Sequence, residues 1–304
     1  MKSAPCEVGW WVGLVVAVGI MLFNPPSGAC TDTRTAVDQV GRTVTFPAHP
    51  ERVISLAPSI TEIVFAIDRG ECLKGATVYS DYPESARRIP RVGSYVHLDL
   101  EKIVALEPDL CIAVKDGNPK QTADRLSDLG IPVYAVNPVD LDSVITTVTL
   151  IGSLLNAETR AAQVVNDMET RVRRVEALVA TTTVRPRVFF QIGISPIVSA
   201  GRDTFIHGLI ERAGGINLAA AAVAYPRFSR EQFLGLAPDI IIITSMARAE
   251  VFERVKKEWE SWSGLPAVKN NQVHIVDSNL LDRPTPRMVE GLELLVRLIH
   301  PELF

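Results

Sequence analysis

AETRAAQVVNDMETRVRRVEALVA, residues Ala157 to Ala180, reads as one uninterrupted helix. Ala157, Ala161, Val164, Val165, Met168, Val172, Val175 and Val179 recur at steps of three and four, while Glu158, Arg160, Asp167, Glu169, Arg171 and Arg173 take the other faces. That spacing is the mark of an amphipathic helix with one apolar stripe. No Gly or Pro occurs between Gly152 and Pro186, and Asn156 is placed to cap the first turn. At 1.5 Å per residue the stretch makes a rod of about 35 Å. The period alone leaves two readings open, a surface helix of one domain or a rod between two lobes, and the flanking chain bears on which holds.

Upstream, short apolar runs alternate with helical ones. Arg52 to Ala57 is a candidate strand, followed by a helix whose Ser59 and Glu62 stand at capping-box spacing. A strand near Leu73 to Val78, a helix from Asp99 to Leu106, a strand Asp109 to Val114, a helix near Pro119 to Leu129 and a strand Ile131 to Val136 complete the pattern. It argues for a parallel sheet covered by helices. Downstream the alternation restarts: strand Arg187 to Ile192, helices Asp203 to Ala213 and Ser229 to Leu236, strands Asp239 to Thr244 and Val273 to Asp277, and a last helix from Arg287 to Ile299. The expectation is an α/β fold of two Rossmann-like lobes, residues 51–138 and 186–304, joined by linking helices in 139–182 that include the backbone helix 157–180.

An internal repeat supports two lobes. LEKIVALEPDLCI (100–112) matches REQFLGLAPDIII (230–242) in its Glu, its apolar positions and its Leu-x-Pro-Asp, at a constant offset. Each copy reads as an amphipathic helix, a Pro that ends it and a buried strand. Glu101 and Glu231 fall in equivalent first turns, where complementing the helix dipole would alone suffice for either.

The chain has 304 residues, 47% of them hydrophobic and 22% charged, ordinary for a globular protein with more than one core. Trp10 to Phe23 is an apolar run too short to span a bilayer comfortably and suited to a signal-peptide core. Ser27-Gly28-Ala29 offers a cleavage site, so residues 1–29 are read as a signal peptide that places the body in the periplasm or otherwise outside the cytoplasm. Cys30 then leaves a lipid anchor open, with Ser27 atypical for a lipobox. Cleavage removes Lys2 and Glu7, so the net charge stays at −4 and no basic field for nucleic acid exists. Only Cys72 and Cys111 remain in the body, too few for a disulfide framework.

No G-x-S-x-G elbow, Walker A loop, dinucleotide glycine fingerprint or H-E-x-x-H occurs. His49, His97, His207, His274 and His300 are scattered without ligand spacing, so no metal site is expected. What remains is a set of residues at the C-terminal ends of strands or in loops after them: Pro58, Tyr79, Tyr82, Tyr95, Tyr225 and Arg283. Ligands of open α/β sheets bind at that edge. Tyrosines there supply flat apolar walls with a hydroxyl, suited to a large amphipathic ligand; Tyr82, beside Pro83, is expected rather to pack its own loop.

RVISLAPSITEIVFAI (52–67), YSDYPESARRIPRVGSYVHLDLEKIVALEPDLCIA (79–113), GRDTFIHGLIERAGGINLA (201–219) and YPRFSREQFLGLAPDIIII (225–243) together resemble the helical-backbone solute-binding proteins of ABC importers, a family that takes cobalamin, iron-siderophores and haem. The chain is most similar to the cobalamin-binding members. The resemblance implies a ligand cleft between the lobes, with Pro58 and Tyr79 contacting the ring, Tyr95 and Tyr225 where cobalamin binders carry indoles, and Arg283 as a pocket arginine. Asn279 stands where an acidic residue is usual, with Asp277 or Asp282 as substitutes. Glu101 and Glu231 match the glutamates that dock onto the permease dimer in the membrane. It further implies transport without catalysis, no intrinsic cofactor, a monomer, and cobalamin or a related corrinoid as ligand. Haem, with a tyrosine iron ligand near Tyr95, is the nearest alternative. A siderophore, for which Arg202 and Arg227 would have to join Arg283, comes after it.

Overall fold

The computed structural model describes residues 32–220, 223–244 and 249–304; the signal peptide expected at 1–29 and Cys30 lie outside them. Strand β1 (Thr33–Val37) pairs antiparallel with β2 (Thr43–Pro47). Then come β3 (Val53–Ser55), α1 (Pro58–Ala66), β4 (Leu73–Gly75), α2 (Leu100–Ala105), β5 (Leu110–Val114), α3 (Lys120–Asp128) and β6 (Val133–Val136). β3 to β6 form an all-parallel sheet in the order β4-β3-β5-β6. Every residue of β5 is buried, as expected for a strand covered on both faces. The β1–β2 hairpin fastens to β6 at its turn, where Gln39 N–H donates to the Ala135 carbonyl at 3.0 Å and Asp38 accepts from Ala135 N–H at 3.3 Å.

Helices α4 (Leu141–Leu154) and α5 (Glu158–Val179) lead to the second sheet. Its elements are β7 (Arg187–Gly193), β8 (Ile197–Ser199), α6 (Phe205–Arg212), β9 (Ile216–Asn217), β10 (Arg227–Phe228), α7 (Arg230–Leu236), β11 (Ile240–Ile243), α8 (Ala249–Glu260), α9 (Pro266–Lys269), β12 (Val273–Ile275), α10 (Ser278–Leu281) and α11 (Met288–Ile299). β7, β11 and β12 run parallel, with β9 also parallel to β7 and the short β8 and β10 antiparallel at one edge. The two lobes and the rod between them are thus as the sequence indicates.

The stripe on α5 explains how the rod is held. Ala161, Met168, Val172, Val175 and Val179 are buried, and they belong to one apolar cluster with Val144, Val148 and Ile151 of α4, Leu209 and Ile210 of α6, and Leu292, Leu295 and Val296 of α11. That cluster also takes in Leu110 and Ile112 of the first sheet and Val188 and Ile242 of the second. Its exposed flank is pinned by ion pairs: Arg171 forks onto Glu293 of α11 at 2.9 and 2.8 Å, and Arg212 of α6 reaches Glu176 at 3.0 Å. Asn156 does not cap this helix. It is left-handed (φ 53°), ends α4, and donates to the Ala48 carbonyl at 2.9 Å; Ala157 holds the capping position without a side-chain bond.

The repeat is a structural unit with a mechanism of its own. α2 and α7 both end on a left-handed residue before the Pro, Glu107 (φ 46°) and Ala237 (φ 45°), the conformation that commonly closes a helix, and the Pro that follows cannot continue it. The carbonyls freed at each helix end accept from an arginine at the start of the neighbouring strand: Arg52 to Leu106 and Glu107, Arg187 to Leu236 and Ala237. In return Asp109 accepts from the Arg52 N–H at 3.1 Å and Asp239 from the Arg187 N–H at 2.9 Å. The Leu-x-Pro-Asp signal therefore encodes a clasp between each helix end and the neighbouring strand, β3 or β7.

Candidate functional site

Between the sheets lies a cleft of about 1270 Å³, larger than the roughly 300–1,000 Å³ of a site for a drug-sized molecule. Its walls come from residues at or after the C-terminal ends of β3, β4, β5, β6, β7 and β12, at Pro58, Tyr79, Asp116, Asn137, Ile192 and Asp277. Open parallel sheets bind ligands at that edge. All five ligand residues expected from sequence, Pro58, Tyr79, Tyr95, Tyr225 and Arg283, line it together.

Tyr79 and Tyr95 meet edge to face with ring centroids 6.0 Å apart. Both loops are anchored from below. Beneath Tyr79, Thr61 Oγ1 is hydrogen-bonded to Ser55 Oγ at 2.8 Å and to Ser80 Oγ at 2.9 Å, all buried, and Arg91 donates to the Thr77 and Ser80 carbonyls. Asn118 clamps Tyr95: its amide donates to the Tyr95 carbonyl at 2.7 Å and the Leu56 carbonyl at 2.8 Å while accepting from Val114 N–H. The Tyr95 ring lies against Gly117 (φ 127°), where a Cβ would come within 3.1 Å of it. Tyr225 approaches from the other lobe, half exposed. Burial, then the charges of Asp116 and Asp282, push its phenol pKa up, so it stays protonated.

The lining is acidic. Asp81, Asp116, Asp203, Asp277 and Asp282 face one basic residue among the described residues, Arg283. Burial pushes the Asp282 carboxyl up to about 7; Asp277 adds to the shift, and a 3.2 Å hydrogen bond from Thr244 Oγ1 only partly opposes it. Asp81 goes the other way: partial burial opposes ionisation, but the hydrogen bond and charge of Arg283 outweigh it and hold the carboxyl below its usual range. Asp277 caps α10 by accepting from Asn279 N–H at 2.9 Å.

Arg283 is not free. Its Nη1 donates to Glu62 at 3.1 Å and to Asp81 at 2.8 Å, and Arg287 forks onto the same Glu62 carboxylate at 2.8 and 3.0 Å with its guanidinium 3.8 Å over the Tyr82 ring. The cluster ties the first lobe to the second, and Glu62 at its centre is buried. This corrects the capping-box expectation: α1 starts on Ala57 with no side-chain cap, and Glu62 turns to the arginines. Neither Glu62 nor Arg287 stands out in the sequence, because the pairing spans more than 220 residues. Tyr82, expected to pack its own loop, lies under the Arg287 guanidinium of the second lobe and outside the cleft lining.

The remaining candidates sort plainly. Glu101 and Glu231 are exposed at the second positions of α2 and α7, whose first turns are capped by Asp99 and Ser229. Arg202, Arg227 and His97 are exposed and outside the cleft lining. No group of His, Cys, Asp or Glu among the described residues is arranged to hold a metal ion. Cys72 and Cys111 are both free and buried, in apolar clusters on opposite faces of the first sheet, and burial raises their thiols to about 11 and 12. No helix among the described residues is long and apolar enough to cross a membrane.

A family model described as periplasmic binding protein matches residues 53–280. An ABC transporter substrate-binding lipoprotein of Bacillus subtilis is 30% identical over 277 residues, 89% of this chain and 86% of that protein. Among solved structures, the periplasmic vitamin B12-binding protein of Vibrio cholerae superposes with a TM-score of 0.71 at 30% identity, covering 82% of this chain and 96% of that one. A periplasmic haem-binding protein from Roseiflexus sp. RS-1, in apo form, gives a TM-score of 0.75 at 25% identity over 84% of this chain and 99% of that one.

Proposed function

Because the chain belongs to the periplasmic binding protein family of ABC importers, whose members bind solutes and are not enzymes, we propose that its solute is cobalamin or a related corrinoid. The observation that carries this is the make-up of the cleft: three tyrosines, five aspartates and one arginine whose charge is already taken up by Glu62 and Asp81. A corrinoid presents a broad apolar ring face edged by neutral primary amides. Tyr79, Tyr95 and Tyr225 suit the face; the aspartates accept from amide N–H groups, and the Arg283 nitrogens that point away from Glu62 and Asp81 donate to amide carbonyls. Haem carries two propionates and ferric siderophores are commonly anionic, so an acidic lining opposes both. The vitamin B12-binding relative supports the same reading.

In this reading the protein works outside the cytoplasm, exported by residues 1–29, and hands its cargo to a permease dimer through Glu101 on one lobe and Glu231 on the other. Absorption titrations with cyanocobalamin and haemin test the ligand. We expect a corrinoid spectral change at stoichiometric ratio. A Soret shift abolished by Tyr95→Phe, with no response to cyanocobalamin, would replace the corrinoid by haem.

A further inference from the structure

The cleft contains an arginine, and arginine is the residue best shaped to fork onto a carboxylate. What decides whether Arg283 does so is the charge around it. Glu62 is buried on the first lobe, accepts from Arg283 and Arg287 together, and makes no capping bond within its own helix. Asp81 closes the cluster on the cleft side at 2.8 Å from Arg283. Two guanidinium charges are thus set against two carboxylates, and no net positive charge is left at the cleft wall. The Nε and Nη2 groups of Arg283 make no hydrogen bond to the described residues, so they keep their capacity to donate.

We propose that Glu62 is a specificity-determining residue of the cleft. By compensating Arg283 and Arg287, it turns Arg283 from a receptor for carboxylates into a neutralised donor fork for carbonyl oxygens. Neutral, amide-rich ligands are accepted and carboxylate-bearing ligands of similar ring size are refused. This rests on the corrinoid reading for the wild-type ligand. Glu62 touches no ligand itself; it acts through Arg283 and is a positioning residue.

The test compares haemin with haem dimethyl ester, which share the ring and differ in the two free carboxylates. Glu62→Gln keeps shape and removes the charge. We expect it to raise the preference for haemin over the ester by about 10- to 100-fold, the worth of one charge-assisted hydrogen bond. Glu62→Asp, which keeps the charge, should hold the wild-type ratio. Asp81→Asn uncovers Arg283 from the solvent side and should move the ratio the same way by less, which keeps the proposal exposed to failure if Glu62→Gln does not fold. A purely structural role for Glu62 would weaken both porphyrins alike and leave the ratio unmoved. If wild-type protein takes cyanocobalamin yet neither charge-removing variant shifts the haemin-to-ester ratio, the role of Glu62 is overturned and the corrinoid reading stands. If wild-type protein prefers haemin over both its ester and cyanocobalamin, the corrinoid reading falls first.

Discussion

The two lobes agree where they face outward and differ where they face each other. α2 with β5 and α7 with β11 are the same clasped unit, down to the left-handed residue before the Pro, the arginine on the helix end and the aspartate on the strand start. The cleft edge has no such symmetry. The first lobe gives Pro58, Tyr79, Tyr95 and the clamp Asn118; the second gives Tyr225, three of the five aspartates and Arg283. Beneath the matched helices the cores differ too: Ile103 packs among aliphatic residues, whereas Phe233 meets Phe189 edge to face and Trp259 at a tilt. What is duplicated is backbone geometry, and what is not duplicated is ligand chemistry. A symmetric outer surface suits a symmetric partner, while an asymmetric cleft suits one asymmetric solute.

The contrast can be broken most directly at the ionic cluster around the buried Glu62 that joins the lobes. Glu62→Ala takes the shared partner from two largely buried arginines, leaving Arg283 only the half-exposed Asp81, and should cost about 3–5 kcal/mol, read by urea denaturation. An effect below about 1 kcal/mol would mean the lobes are held by the α5 core alone. The next largest effect concerns the acidic second-lobe edge. The Asp282 pKa, raised to about 7 in the folded protein, lies above the ordinary carboxylate value near 4. The folded state therefore keeps this proton between about pH 4 and 7 after the unfolded chain has lost it, and stability falls as pH rises through that window. Asp282→Asn should flatten that fall and raise stability at pH 8 by on the order of 2 kcal/mol. An unchanged pH profile would place the acidity elsewhere. The smallest effect on stability belongs to the duplicated surface: Glu101→Ala with Glu231→Ala should change it by less than about 0.5 kcal/mol and leave ligand affinity intact, yet abolish uptake in a whole-cell transport assay. Lost affinity would reassign the pair to the cleft.

The sequence made the local features legible. The α5 stripe, the buried β5 and β11 runs and the Leu-x-Pro-Asp repeat are written in consecutive residues, and their periods survive folding unchanged. Tyr79 can be placed because it follows a strand; Tyr95 and Tyr225 stand in longer loops, where the resemblance points to them and the period does not. The features it hid are those whose partners are distant. Ser59 and Glu62 carry the spacing of a capping box, but a buried carboxylate with two guanidinium partners outweighs a helix cap worth about 1 kcal/mol. Asn156 looked like a cap because the period of α5 could not reveal that the previous helix ends there on a left-handed residue. Asn118 and Gly117 gave no signal at all, since their work is to fit one particular ring.

The apolar cluster that threads α5 has a thermodynamic consequence. Residues of both sheets share it, so neither lobe can melt without uncovering the stripe that the other also needs, and residues 32–304 form one compact unit. Unfolding is then a property of the whole body rather than of a lobe. A solute held in the cleft contributes its RT ln(1 + [L]/Kd) to every strand at once. Resistance to proteolysis and occupancy by cargo become one quantity, read in two ways.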